Sequence, residues 1–141
     1  MNYRELKEDQ QQRFNAFPIG FAFSKEQLES EMQRLGVTDT AELIRIGGGG
    51  FIRTADKEAY IRLCNSFDEE LRAAIAADHD GSGFIADMFE SELSNHEYII
   101  TGDLRDTFDA LGLTAEEVNQ DKRLMNGLQI ALEEYRKNVI I

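Results

Sequence analysis

The chain has 141 residues, of which 27 are acidic and 15 basic, which gives a formal net charge of −12 and a pI near 4.5. This balance argues against direct binding of nucleic acid, because phosphate contacts need clusters of Lys and Arg, and it favours docking onto a basic protein surface. With 42% hydrophobic and 30% charged residues the composition is that of a globular chain, and the length predicts a single domain over residues 1–141.

The sequence also indicates a cellular compartment. The segment Met1–Glu8 lacks the apolar core of a signal peptide, and no apolar run approaches the roughly 18 residues of a membrane span. We therefore expect a cytoplasmic protein with no membrane partner. The one cysteine, Cys64, excludes an internal disulfide. It falls on the apolar face of a predicted helix, so we expect a buried and unreactive thiol.

The first part of the chain alternates helix and strand signals. Residues 3–15 place apolar side chains on one helical face, and Pro18 ends that helix because it forces the preceding residue out of the α region. Residues 19–23 are apolar and predict a short strand or a loop that crosses the core. Ser24 opens a capping-box signature, and the helix that follows is predicted to end at Gly36.

The next segment predicts a β-hairpin and a long helix. Residues 43–46 and 51–53 are β-type and are joined by Gly47–Gly50, a turn whose four glycines fix the strand register poorly. Thr54 is predicted to cap a long helix, in which apolar residues recur at three- and four-residue steps over residues 60–75. This stripe is expected to face the core.

The last part of the chain is mostly helical. A short helix ends near Asn95, and residues 98–100 are β-branched and aromatic enough for a strand. Asp103, Thr114 and Asp121 are each predicted to cap a further helix.

The tail, residues 139–141, is apolar and predicts either a terminal strand beside residues 98–100 or a contact with a partner. Together these elements predict an α+β fold that is mostly helical. It would have about five to six helices, a small β-hairpin and one or two short extra strands.

Acidic side chains are concentrated in the middle of the chain. Residues 54–97 hold eleven acidic and three basic side chains, a net −8 of the chain's −12. Most acid-rich helices are only solvated faces, but an extended negative stripe can also imitate phosphates and occupy a basic groove. The residues predicted to contact such a partner, two of them from the glycine hairpin, are Asp68, Glu69, Glu70, Asp87, Glu90, Phe51 and Arg53.

The glycine run Gly47–Gly50 could cradle a phosphate through its backbone N–H groups. However, no Lys-Ser/Thr follows, and the strand–loop–helix spacing of a phosphate loop is missing. A flexible hairpin tip is the favoured interpretation, and such a tip could order against a partner.

The octet 78–85 resembles an EF-hand calcium loop through its first eight positions. Such a loop places oxygen ligands at positions 1, 3, 5 and 7 and a bidentate glutamate at position 12. The candidate ligands are Asp78, Asp80, Ser82 and the backbone of Phe84. Position 12 is Phe89 instead, and Glu90 comes one residue late, which rotates it by about 100° around the helix. The alternative is a helix–turn–helix corner in which Asp and Ser bond to nearby backbone.

The two histidines, His79 and His96, have several acids near them in sequence, so a histidine–carboxylate metal site can be considered. Neither shows the spacing of a known zinc motif. A helix-terminal role for His96 is favoured, because imidazole there can bond the last carbonyl groups. No Ser–His–Asp or Cys–His arrangement has diagnostic context, so we expect no catalytic residue and no enzyme.

Several segments together resemble a known group of proteins: residues 14–19, 47–51, 83–85, 93–98, 111–114 and 119–123. They are similar to a family of small, uncharacterised acidic proteins encoded by bacteriophages and mobile elements of Firmicutes-type bacteria. The resemblance covers nearly the whole chain and brings no catalytic residue with it. It implies an accessory role such as inhibition of host defence, of which anti-CRISPR proteins are an example.

The leading hypothesis is therefore a non-enzymatic phage or mobile-element protein, a monomer or homodimer without a cofactor. It would bind a basic surface of a bacterial host protein, such as an RNA-guided nuclease. The alternative is a calcium-binding helix–loop–helix module that uses loop 78–90. A third hypothesis is an oligomeric structural protein that assembles through residues 139–141.

Overall fold

The computed structural model of the chain describes residues 1–96, 98 and 103–138. Within these residues the fold is α+β and mostly helical, as predicted, with seven α-helices and one small three-stranded sheet. In chain order the elements are α1 (Tyr3–Ala16), β1 (Gly20–Phe21), α2 (Lys25–Leu35), β2 (Leu43–Gly47), β3 (Gly50–Arg53), α3 (Lys57–Ala77), α4 (Phe84–Asn95), α5 (Arg105–Ala110), α6 (Ala115–Gln120) and α7 (Lys122–Asn138).

The chain forms two compact units, which we call the sheet unit and the helical unit. The sheet unit is Asp9–Glu69, and the helical unit comprises Met1–Glu8 and Glu70–Ile141. The boundaries between the units fall inside α1 and α3. The prediction of one domain over residues 1–141 stays a prediction.

The sheet unit is built around β3, the central strand of a sheet ordered β1-β3-β2. Both pairings are antiparallel, and a register irregularity lies between Arg45 and Gly47 of β2. The hairpin prediction is confirmed, and residues 19–23 contain a strand rather than a loop alone. The core of this unit consists of the buried residues Met32, Leu35, Val37 and Phe51.

The predicted limits of α2 are confirmed. The Ser24 hydroxyl accepts the Gln27 backbone N–H at 3.2 Å, and the backbone N–H of Phe23 donates to the Gln27 side chain at 2.8 Å. At the other end Gly36 has a left-handed backbone and closes the helix. Such caps satisfy backbone groups that a helix terminus leaves without a partner.

The beginning of α3 differs from the prediction. Residues Thr54–Asp56 form a single 3₁₀ turn with no side-chain cap, and the α-helix begins at Lys57. Thr54 is therefore not the helix cap. The chain enters this turn from Arg53 on β3, and a turn that follows a strand directly can continue into the helix without a capping side chain.

The prediction that Cys64 is buried is wrong, because its side chain is exposed. The covered side of α3 in the sheet unit is marked by Tyr60, whose ring contacts Phe17, and by Phe67, whose ring contacts Arg13. Arg13 belongs to α1, and Phe17 directly follows the last residue of that helix. A helix shields only part of its neighbour's circumference, and Cys64 lies at the edge of the covered stripe.

The helical unit is organised around α4. Four side chains of this helix, Ile85, Met88, Phe89 and Leu93, are fully buried. They pack in one core with residues of the other helices of this unit and of the connections between them. The other buried members of this core are Tyr3, Ile75, Phe108, Leu111, Leu113, Val118, Leu124, Leu128 and Ala131. Each fully buried apolar side chain contributes about 1.5–3 kcal/mol, so α4 is the best anchored helix of this unit.

Thr114 and Asp121 are confirmed as caps by hydrogen bonds, whereas the prediction for Asp103 is wrong. Leu104 occupies the cap position of α5 and makes no side-chain cap bond, and Asp103 precedes it. The Asp103 carboxylate accepts the Arg105 N–H at 2.9 Å, the Thr114 hydroxyl accepts the Glu117 N–H at 3.1 Å, and the Asp121 carboxylate accepts the Arg123 N–H at 2.9 Å.

Two further predictions touch residues outside the described ranges. Of the strand predicted at residues 98–100 only Tyr98 is described; it has helical geometry and stacks edge-on against Tyr135 at 5.9 Å. The strand prediction is therefore wrong at Tyr98. Residues 139–141, for which a terminal strand or a partner contact was predicted, lie outside the described part. No helix in that part is long and apolar enough to cross a membrane.

Candidate functional site

The five acids predicted to bind a partner lie on α3 and α4. Asp68 and Glu69 are exposed and belong to the sheet unit, whereas the half-buried Glu70 belongs to the helical unit. Asp87 is exposed and Glu90 half-buried on α4, three residues apart and therefore on one helix face. The structure thus divides the predicted set between the two units and keeps Asp87 and Glu90 together.

The net charge differs strongly between the two units. The helical unit carries 17 acidic and 8 basic side chains, a net −9, whereas the sheet unit carries 10 and 7, a net −3. Three quarters of the chain's net charge of −12 therefore belongs to the helical unit.

The two contacts predicted from the hairpin are engaged within the sheet unit. Phe51 is only 6% exposed and packs in the core of that unit. The Arg53 guanidinium donates to the Asp56 carboxylate at 2.7 Å and to the Leu35 carbonyl at 3.3 Å. The hydrogen bond to Asp56 raises the pKa of Arg53 above its ordinary value. A role of Phe51 and Arg53 in partner binding stays a prediction.

The octet 78–85, which we call the corner, is organised by the Asp78 carboxylate. One of its oxygens accepts the Gly81 N–H at 3.0 Å, and the other accepts the N–H groups of Gly83 at 3.1 Å and Ile85 at 3.0 Å. Burial by itself would raise the pKa of Asp78, but the backbone N–H donors outweigh it and lower the pKa. Asp78 therefore caps the beginning of α4, although it lies five residues before Gly83, which directly precedes the helix.

The other candidate ligands of the corner also have local partners. One Asp80 carboxylate oxygen accepts both the Ser82 N–H at 2.9 Å and the Ser82 hydroxyl at 2.6 Å, and these bonds lower the pKa of Asp80. Phe84 begins α4, and its ring meets the Tyr3 ring edge-on at 5.9 Å. Each bond is of the kind expected for the helix–turn–helix alternative.

The corner is fixed against α7. The Arg123 guanidinium donates to three carbonyl oxygens at the end of α3 and just beyond it, the nearest being that of Asp78 at 2.9 Å. The Asn126 amide donates to the Asp80 carbonyl at 2.8 Å. Gly81 is buried, and a methyl group there would overlap the Arg123 carbonyl oxygen. Gly127 is as crowded, because a methyl group would lie 2.7 Å from the Gly81 carbonyl oxygen.

The remaining positions of an EF-hand loop are occupied differently here. Position 12 is Phe89, which is fully buried in the core, so no carboxylate stands where the bidentate ligand would be. His79 is exposed on the corner. The assignment of Asp78, Asp80, Ser82 and Phe84 as metal ligands stays a prediction.

The sequence analysis did not predict a buried polar cluster in the helical unit, which consists of Tyr3, Glu92 and His96. The Glu92 carboxylate is 6% exposed, accepts the Tyr3 hydroxyl at 2.5 Å and lies 3.1 Å from Nε2 of His96. Burial first, and then the hydrogen bond to Glu92, raises the pKa of Tyr3 well above its ordinary value. His96 directly follows the last residue of α4, as predicted, but its imidazole contacts the Glu92 carboxylate rather than the last carbonyl groups of the helix.

The sequence contains a weak signal for this cluster. Glu92 follows Met88 and Phe89 by four and three residues, which is the spacing of the buried face of α4. A carboxylate at such a position is buried only when partners are at hand, and here Tyr3 comes from the other end of the sequence. The cluster therefore holds the first turn of α1 against α4.

A groove in the sheet unit combines cationic and apolar residues. It has a volume of about 610 Å³ and lies between the beginning of α2 and one face of the sheet. Lys25 and Arg45 line it together with Phe23, Leu28 and Phe51. The sequence analysis did not group Lys25 with Arg45, because the position of α2 relative to the sheet could not be known from the sequence.

The chain belongs to a family of unknown function, DUF7659, whose model matches residues 2–134. No curated protein and no solved structure matches the chain.

Proposed function

We propose that this DUF7659 member is a non-enzymatic interaction module that docks its acidic surface onto a basic surface of a partner protein. The observation that supports this best is the net −9 of the helical unit. A surface of one sign attracts a partner of the other sign over distances of about 10 Å at ordinary salt, which speeds association and rejects like-charged proteins.

Asp87 and Glu90 are the strongest contact residues within that surface. Neither forms an ion pair with another residue of the described ranges, and they occupy the outer face of α4. Two like charges three residues apart repel each other and destabilise a helix by about 0.2–0.5 kcal/mol. A cationic partner removes this repulsion. The buried face of α4 keeps the two carboxylates on a rigid element, which limits the entropy lost on binding.

In its finer form the proposal names a bacterial host protein whose basic groove normally holds nucleic acid. The chain would then be a phage or mobile-element accessory protein, such as an anti-CRISPR inhibitor of an RNA-guided nuclease. The support for this form is the sequence resemblance described above, together with the chemistry by which carboxylates imitate phosphates.

The test is a double charge reversal, Asp87→Lys with Glu90→Lys. The matched control is Glu26→Lys with Glu29→Lys, an exposed pair with the same three-residue spacing on α2 of the sheet unit. The wild-type chain is used to capture proteins from a bacterial lysate at low and high salt, and the salt-eluted partner is purified. We expect the reversal on α4 to raise the Kd at least about tenfold and the control to change it less than about threefold.

Equal losses in the two variants would show that only total charge matters, and unchanged binding by the α4 variant would refute the mechanism. The triple reversal of Asp68, Glu69 and Glu70 to Lys extends the test to α3, where we expect the fold to persist and binding to be lost. The finer form is tested separately by DNA cleavage with the purified RNA-guided nucleases of candidate hosts. If the nucleases keep full cleavage activity in the presence of excess chain, the anti-CRISPR form of the proposal is refuted, whereas the proposal of an acidic interaction module is unaffected.

The alternative function is calcium binding by the corner. Both oxygens of Asp78 already accept backbone N–H groups, so we expect millimolar Ca²⁺ to leave the melting temperature unchanged. A ligand that binds only the native state raises the melting temperature. A rise with Ca²⁺ that is lost in Asp80→Asn would favour the alternative instead.

A further inference from the structure

The groove of the sheet unit has the size and lining of a small-molecule site. Its volume of about 610 Å³ lies within the range of ligand pockets, roughly 300–1,000 Å³. Its floor is formed by the buried ring of Phe51 and the half-buried side chain of Leu28. Ala22, next to β1, adds to the apolar lining.

The charged residues of the groove are both cations. Lys25 begins α2 and Arg45 lies in the middle of β2, and neither makes an ion pair with another residue of the described ranges. No carboxylate lines the groove, although the chain has 27 acidic and only 15 basic residues. Two cations in a groove whose lining holds no carboxylate, beside apolar surface, form a site complementary to an anion that carries an apolar body.

One wall of the groove is an exposed aromatic ring. The Phe23 side chain is 79% exposed, the largest exposed fraction among the large apolar side chains of the described residues. Its ring lies over Gly49, where a methyl group would come within 2.5 Å of the ring. Covering this ring with the apolar part of a ligand would remove it from water, which is favourable by about 25 cal/mol per Å² buried.

We propose that this groove binds a small organic acid with an apolar body. Arg45 and Lys25 hold the carboxylate, with the planar guanidinium suited to a two-point contact, and the apolar body lies between Phe23, Leu28 and Phe51. The backbone N–H groups at the beginning of α2 add positive partial charge, but the site does not depend on them. The inference stands apart from the acidic docking surface, since it concerns residues of the sheet unit alone.

The experiment follows backbone amide resonances of the full chain by NMR during titration with octanoate. Octanamide, which has the same length without the charge, is the matched ligand. We expect octanoate to shift resonances of the groove with a Kd about tenfold lower than that of octanamide, the effect of one charge-assisted contact. Lys25→Gln with Arg45→Gln should raise the octanoate Kd about tenfold. Arg62→Gln should leave it unchanged, because Arg62 is an exposed cation of the same unit outside the groove.

A variant of the apolar wall completes the test. Phe23→Ala should weaken octanoate binding by roughly threefold to tenfold without loss of the fold, because the ring is mostly exposed. The proposal is overturned by any of four results. These are no shift in the groove, equal affinity for octanoate and octanamide, equal affinity for octanoate and inorganic phosphate, or tighter binding of an acidic peptide than of octanoate. The last result would identify a protein-docking groove.

Discussion

The corner at 78–85 and the hairpin tip at Gly47–Gly50 are both rich in glycine, and both invited a ligand hypothesis. In the corner the polar groups are satisfied internally, since Asp78 accepts three backbone N–H groups and Arg123 donates to the carbonyls. At the hairpin tip, in the other unit, Gly49 lies beneath the ring of Phe23 and borders an open groove.

The difference shows that glycine serves two separate purposes in this chain. Gly81 is required because two backbone segments approach closely, which leaves no room for a side chain or a ligand. Gly49 makes room for an aromatic ring that remains in contact with solvent. The corner is therefore a fixed structural element, whereas the hairpin tip forms part of the open groove for which we propose a ligand.

Alanine substitutions at one glycine of each region give the largest contrast. Gly81→Ala places a methyl group against the Arg123 carbonyl at a backbone φ of +85°, and we expect it to lower the free energy of unfolding by about 3–5 kcal/mol. Gly48→Ala has a φ of +58° but open space around it, so only the backbone cost of about 1–2 kcal/mol applies. Denaturant unfolding of both variants measures the difference. Similar losses at the two glycines would mean that the corner is not packed against α7 as described.

Two arginines in the same sequence context allow the corner to be compared with an ordinary exposed ion pair. Arg123 and Arg105 each follow an aspartate by two residues and pair with it, at 3.1 and 2.6 Å. Only Arg123 also donates to the carbonyls of Ile75, Ala76 and Asp78.

We therefore expect Arg123→Ala to lower the free energy of unfolding by about 2 kcal/mol, because three carbonyl groups, two of them in partly buried bonds, lose their donor. Arg105→Ala should change it much less, since its ion pair is solvent-exposed. Thermal melting of the two variants gives the comparison, and an equally large effect at Arg105 would contradict it.

Removal of the hydrogen bond between Tyr3 and Glu92 tests how strongly α4, the helix that follows the corner, is held by α1. Tyr3→Phe removes the hydroxyl donor from one oxygen of the buried Glu92 carboxylate and should lower the free energy of unfolding by about 1–3 kcal/mol at neutral pH. The raised pKa of Tyr3 adds a pH dependence, because the hydroxyl keeps its proton in the folded chain above the ordinary value of 10.0.

The unfolded chain loses that proton once the pH exceeds about 10. The stabilisation by Tyr3 is therefore complete below pH 10 and declines as the pH rises further, by up to about 1.4 kcal/mol per pH unit. The loss should be larger in the wild-type chain than in Tyr3→Phe, in which burial still raises the pKa of Tyr60 and leaves a residual pH dependence. Unfolding curves between pH 9 and about 11 measure it, and parallel curves for the two proteins would contradict the buried bond.

The elements that sequence reasoning predicted correctly depend on interactions within a few residues. Ser24, Thr114 and Asp121 cap helices through bonds to residues two or three positions away, and both strands of the hairpin are adjacent in sequence. The Asp78 corner was also available from the sequence as the helix–turn–helix alternative, since all its carboxylate bonds are local.

The incorrect or missing predictions depend on distant residues. Cys64 was placed on the buried face because periodicity gives the direction of a stripe but not the width that a neighbouring helix covers. Glu92 gave no signal strong enough, because the partner that permits its burial, Tyr3, is 89 residues away. The groove is lined by residues of both α2 and the sheet, so the sequence spacing of Lys25 and Arg45 could not predict that they share one site.

The sequence by itself determined the α+β, mostly helical class, the caps at Ser24, Thr114 and Asp121 and the large negative charge, because these follow from local periodicity, short-range hydrogen bonds and composition. The tertiary structure alone decided which acids of α4 have no ion pair within the described ranges and that Arg123 holds the corner against α7. It also decided that Lys25 and Arg45 share a groove. Burial, close approach and ion pairing depend on what a distant segment places against each side chain, and no pattern along the chain specifies that neighbour.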